Sequence, residues 1–176
     1  MSTLKVDEIL KRTGTGTITI GQSGDTIDIP SGATLSATAS GNKIGQVIVS
    51  TTTSDISTSS TSFAASGFTA SITPTATTSK VLVSIAGGKG TDSSSGRITA
   101  HMYSQTGGGG YSSLFTFIDD NNQNGVPFGQ TYSGADLHTT STTSQVDYQV
   151  YVKVNAGTVH INNNSQLTIT LMEILA

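Results

Sequence analysis

The sequence predicts an all-β protein in which a short N-terminal helix and a trimeric β-stalk lead into an antiparallel, jelly-roll-like β-sandwich. Three observations predict it. From Lys43 onward, about eight short segments alternate apolar and polar residues, the period of a half-buried strand. Ser and Thr make up just under a third of the chain, beside 20 Gly, which suits strands joined by tight turns. Ahead of these segments runs a strip with too little apolar surface to fold alone.

That strip opens on Ser2–Arg12. Ser2 or Thr3 caps a helix there, with Leu4, Val6, Ile9 and Leu10 set against Lys5, Asp7, Glu8, Lys11 and Arg12. Gly14 and Gly16 end it. Thr17-Ile18-Thr19-Ile20 and Thr26-Ile27-Asp28-Ile29 follow, nine residues apart. Ile18 with Ile20, and Ile27 with Ile29, each present one thin apolar stripe. An ordinary hairpin is one reading of these units. The favoured reading is an intertwined stalk in which each strand packs on its counterparts from two other chains. Small residues from Ala37 to Asn42 form a linker, so residues 1–42 are one unit and 43–176 a second.

In the second unit the candidate strands are Gly45–Thr51, Gly67–Thr73, Lys80–Ala86, Arg97–Tyr103, Ser113–Ile118, Gln145–Val154, Thr158–Ile161 and Gln166–Leu175. The clearest sets Val146, Tyr148, Val150, Val152 and Val154 against Asp147, Gln149, Tyr151 and Lys153. Two strands are apolar on both faces, at Val81-Leu82-Val83 and at Leu171-Met172 with Ile174-Leu175. In a small sandwich that points to a subunit interface. The polar stretches Thr51–Thr61, Gly87–Gly96, Gln105–Ser112 and Asp119–Thr143 read as loops, the first of them either mobile or partly stranded.

Composition excludes several functions. The net charge is −3 with no basic patch, which argues against a nucleic acid partner. The chain has 0 Cys, so neither disulfides nor thiolate metal sites are expected. No apolar run reaches the ~18 residues of a membrane span, so membrane insertion is not expected, and no signal-peptide core is visible. His101, His138 and His160 are scattered, and no G-x-S-x-G, H-E-x-x-H or paired-carboxylate motif is present. An enzyme is therefore not expected, nor a cofactor.

Two constellations remain. Asp120-x-Asn122-x-Asn124-Gly125 matches the first half of a calcium loop, but its twelfth position is Thr131 rather than Glu, which favours a plain turn over a metal site. Tyr111, Phe128 and Tyr132 lie in or beside the long loops. Such rings either plug the sandwich ends or, with Asp119, Asp120, Asn122 and Asn124, form a contact surface for sugars or a protein. Tyr103 and Tyr151 fall on polar strand faces.

The opening Met1-Ser-Thr-Leu-Lys-Val-Asp-Glu-Ile-Leu10 and Gly24-Asp-Thr-Ile-Asp-Ile-Pro-Ser-Gly-Ala-Thr-Leu35 resemble tail-fibre-like structural proteins of phages of marine and cyanobacterial hosts. Phe68-Thr-Ala-Ser-Ile-Thr-Pro74, Ser79-Lys-Val-Leu-Val83 and the closing Leu171-Met-Glu-Ile174 are similar to strands of their distal domains. The resemblance implies a homotrimeric, cofactor-free virion fibre on the tail or capsid exterior. Residues 1–42 attach it to another virion protein, and a distal knob adsorbs to a host surface glycan or protein. The loop aromatics and acids are then the receptor-contact candidates. This chain is shorter than a long tail fibre, which keeps a capsid decoration, cement or head-fibre protein in view. A polysaccharide depolymerase is a distant third, because the acids give no convincing pair.

Overall fold

The computed structural model describes residues 26, 44–88, 91–92, 97–121, 131–162 and 165–175. The expected helix (Leu4, Val6, Ile9, Leu10) and stalk (Ile18, Ile20, Ile27, Ile29) lie outside the described residues, as do Asn122, Asn124 and Phe128.

Among the described residues the secondary structure is strand throughout. In chain order the strands are β1 (Ile44–Thr52), β2 (Ser57–Thr58), β3 (Ala64–Ile72), β4 (Lys80–Gly87), β5 (Thr91–Asp92), β6 (Arg97–Thr106), β7 (Ser112–Asn121), β8 (Tyr132–Thr139), β9 (Val146–Val154), β10 (Val159–His160) and β11 (Leu167–Ile174). A first sheet has the order β1-β11-β4-β8, a second β3-β9-β6-β7, and a small third β2-β10-β5. All pairings are antiparallel. If only the eight long strands are counted, the two large sheets run 1-8-3-6 and 2-7-4-5, the order of a jelly roll.

The alternation in the sequence explains the two layers. In β9, Val146, Val150, Val152, Val154 and Tyr148 turn inward and are at most 2% exposed. They meet Ile98, Ala100 and Met102 of the same sheet, and Val81, Val83, Ile85, Leu167, Ile169 and Leu171 of the other. Each buried aliphatic of this size contributes roughly 1.5–3 kcal/mol relative to exposure. The third sheet adds Val159 to the core, its flanking residues Ile56 and Ile161 join it, and Asn162 Nδ2 donates to Thr52 O (3.1 Å) and Ser54 O (2.9 Å) beside them.

Among the described residues, one buried position is charged. Glu173, near the end of β11, is 0% exposed. Its Oε1 accepts from Thr75 N (2.6 Å) and Thr75 Oγ1 (2.7 Å), and its Oε2 from Gln46 Nε2 (2.9 Å). The carboxylate ties β1, the turn after β3 and β11 together where the apolar rows end.

The strand β8 corrects the sequence reading, which places Tyr132–Thr139 inside the loop Asp119–Thr143. By register Tyr132, Gly134, Asp136 and His138 stand on the core side, paired with Gly87, Ile85, Val83 and Val81, although Asp136 stays exposed. Few of them are apolar, so the usual alternation is missing. The predicted Thr158–Ile161 strand shortens to Val159–His160 in the third sheet, and the supposed Ser/Thr loop contains β2. The Gly87–Gly96 stretch likewise contains β5.

Gly134 has a packing reason. A Cβ there would sit 2.7 Å from Phe117 Cβ and 3.0 Å from Phe115 Cε2, side chains of β7 in the opposing sheet. Gly134→Ala is expected to cost about 2 kcal/mol through overpacking at this seam, read as a lowered urea midpoint with an unchanged slope.

Candidate recognition surface

The two sandwich sheets turn different outer faces to solvent. On the first sheet, register builds a grid across β1, β11, β4 and β8. One row is Val47-Met172-Leu82-Leu137, with Ile44-Ile174-Lys80-Thr139 on one side and Val49-Thr170-Ser84-Ala135 on the other. Ile44, Val47, Val49 and Leu137 are 53%, 49%, 60% and 47% exposed, and all four stand on this face. Lys80 is the one charge in these rows. The doubly apolar strands of the sequence thus bury one face in the core and leave Leu82 and Met172 on this half-exposed grid.

The second sheet carries rings and charges instead. Across β9 and β6, Tyr151 pairs with His101, Gln149 with Tyr103, and Lys153 with Thr99. These residues occupy the outward half of each alternation. The result is a continuous aromatic strip. Phe63, just before β3, lies 4.4 Å from the His101 ring and 5.9 Å from Tyr103, between centroids. Tyr103 lies 4.2 Å from Tyr151, and Tyr151 lies 5.7 Å from Tyr111. Lys153 Nζ sits 4.6 Å above the Phe63 ring, a cation–π contact.

The strip opens into a cleft of about 460 Å³ whose walls include Phe63, Arg97, His101, Asp119, Lys153 and Asn155. Arg97 Nε donates to Asp119 Oδ1 at 2.7 Å, and Nη2 donates to Oδ2. These hydrogen bonds hold the Asp119 carboxyl below the usual carboxylate range, against a weaker opposing effect of burial. His101 is fixed at both ring nitrogens, Nδ1 to Ser113 Oγ and Nε2 to Thr116 Oγ1, each at 2.8 Å. Burial, and then the Lys153 charge, push its pKa down, which favours the neutral ring. At the far end Asp147 accepts from Ser71 Oγ (2.6 Å), Gln145 Nε2 (2.6 Å) and Gln105 Nε2 (2.9 Å). Burial, followed by the Asp147 and Tyr151 neighbours, raises the Tyr111 pKa, so its phenol stays protonated.

Of the contact candidates, Tyr111 joins the strip and Asp119 lines the cleft. Tyr132 is placed differently: it is 9% exposed and belongs to the core, because β8 turns it inward. Asp120 follows Asp119 in β7, opposite Ile98. Phe63, Arg97 and Lys153 are functional candidates that the sequence reading does not single out. Their signal is weak, since one is a loop Phe and two are strand-face cations that only the register brings together. His160, off this surface, pairs with Asp55 at 2.6 Å.

The fold and these faces define an antiparallel β-sandwich module with a ring-lined cleft on one side and an apolar grid on the other. No family model matches the sequence. No curated protein matches it either. A solved structure of the infectious bursal disease virus Gx strain shares a likeness at TM-score 0.38 and 16% identity, over 74% of this chain. The likeness covers 37% of that viral chain.

Proposed function

We propose that this chain is a non-enzymatic virion fibre protein whose sandwich is a distal knob that binds a host-surface glycan. The observation that carries this reading is the aromatic strip Phe63–His101–Tyr103–Tyr151–Tyr111 on an exposed sheet face. Half-buried, mutually packed rings cost little side-chain entropy on binding and stack on the apolar faces of sugars. Asp119 is the one carboxylate among the described cleft residues and is held ionised by Arg97, whereas glycoside hydrolysis needs a carboxyl pair. The sequence resemblance of residues 1–10 and 24–35 supports the virion setting, with residues 1–42 as attachment and trimerising segment. Adsorption of the purified full-length chain to host cells tests the reading. Adsorption unchanged by Tyr103→Ala, in a protein that melts normally, would count against it.

The apolar grid on the first sheet is the proposed contact with further copies of this chain. Its one charge, Lys80, stands in the flanking row, so copies meet through the row Val47-Met172-Leu82-Leu137 without burying an ion. Leu137→Lys and Val49→Lys place a charge in that contact. Each is expected to shift the chain from trimer towards monomer in light scattering, with little change in melting. A wild-type chain that is monomeric at all concentrations would remove the trimer and favour the capsid decoration or cement reading.

A further inference from the structure

We infer that the cleft on the second sheet selects an acidic sugar, a pyranose ring bearing an anionic group, over a neutral one. This inference rests on the reading of the strip as a glycan surface and adds the charge of the ligand. Arg97 and Lys153 stand in the cleft against Asp119 alone, among the described lining residues. The cleft is therefore locally positive in a chain whose net charge is −3.

The two cations have different tasks. Both donor edges used by Arg97 are turned onto Asp119, and that fork is complete without a ligand. Lys153 has no carboxylate partner among the described residues. Its ammonium lies over the Phe63 ring, and both residues line the open cleft. An ammonium in that position keeps donors free for an incoming anion. His101, tilted at 45° to Phe63 with both nitrogens occupied, offers a ring surface and not a hydrogen-bonding edge.

The geometry thus fits a ligand with two properties at once. Its apolar ring face lies on Phe63 and His101, and its anionic group reaches Lys153 Nζ. A uronic acid supplies the anion as a carboxylate and a sulfated sugar supplies it as a sulfate ester. Neutral hexoses satisfy the rings and leave the ammonium to water. The cleft volume of about 460 Å³ lies in the range of small-ligand sites.

Calorimetric titration of the full-length protein with oligogalacturonate, its neutral methyl ester and a sulfated oligosaccharide tests this. At least one acidic oligosaccharide is expected to bind about tenfold more tightly than the methyl ester, and the stronger of the two identifies the anion. Raising salt from about 50 to about 300 mM is expected to narrow that gap. Lys153→Met is expected to lose about tenfold for the acidic ligand and Lys153→Arg to retain most of it. Equal or tighter binding of the methyl ester overturns the inference while leaving glycan recognition by the rings standing. Binding of none of the three overturns it as well, and the cell-adsorption result on Tyr103→Ala then decides the broader reading separately. Full acidic-ligand affinity in a folded Lys153→Met protein also overturns it.

Discussion

Glu173→Ala is expected to destabilise the sandwich by about 3 kcal/mol, the largest effect of any single change considered. The reason is the set of donors left behind. Thr75 N, Thr75 Oγ1 and Gln46 Nε2 all point at this carboxylate, which is 0% exposed. Each orphaned buried donor costs about 1–3 kcal/mol, and water entry recovers part of that. For a domain of this size the loss reads as a drop of roughly 10 °C in melting temperature. Glu173→Gln keeps the shape but turns one acceptor into a donor facing a donor, so a loss of about 2 kcal/mol is expected. A neutral outcome for both variants would mean that the carboxylate does not tie β1 to β11.

The same residue sets a pH dependence with a definite sign. Burial by itself raises the Glu173 pKa, but hydrogen bonds from Gln46 and Thr75 outweigh it and hold the group below its ordinary value. A depressed folded-state pKa stabilises above the unfolded value, about 4.3, and that stability is lost as pH falls through the folded value. Wild type and Glu173→Gln are therefore expected to differ at pH 7 and to converge in acid. Asp147 is depressed in the same direction, first through Ser71, and it acts in both proteins. Stability curves that stay parallel down to pH 2 would contradict the assignment to Glu173.

The second large effect is on recognition. Replacing both Tyr103 and Tyr151 with alanine is expected to weaken glycan or cell-surface binding by about 2 kcal/mol, roughly thirtyfold. These rings lie 4.2 Å apart at the middle of the strip, so removing them separates Phe63 and His101 from Tyr111. Both side chains stand on the outer face, so folding should survive, and a melting curve near wild type is the required control. Retained binding by this variant would show that the strip is not the contact.

The layers were legible from residues such as those of β9, where Val and Tyr fill the five inward positions and Asp147, Gln149 and Lys153 take three of the four between them. The same period gave β6 and β11. It failed at β8, because Gly134, Asp136 and His138 stand on the core side of an edge strand while Ala135 and Leu137 face out. Close packing against Phe117 selects glycine there, and His138 Nδ1 meets Tyr148 Oη at 2.9 Å, so polarity at those positions follows from tertiary partners. The candidate site was half legible. Tyr103, Tyr151 and His101 already stood on polar faces, but only register shows that they touch. Tyr132 misled because its neighbours Ser133 and Gly134 resemble a loop. The resemblance of residues 1–10 and 24–35 concerns a part of the chain in which Thr26 alone is described, and it supports the fibre reading on sequence alone.

The central claim is that the second sheet's outer face is where this molecule meets a host glycan. The most direct test follows backbone amide shifts of the isotope-labelled full-length protein as host-envelope polysaccharide is added. Shifts are expected to concentrate on Phe63, Thr99, His101, Tyr103, Tyr151 and Lys153 and to spare Val47, Leu82, Leu137 and Met172. Shifts confined to the latter four, or none at saturating polysaccharide, would contradict it.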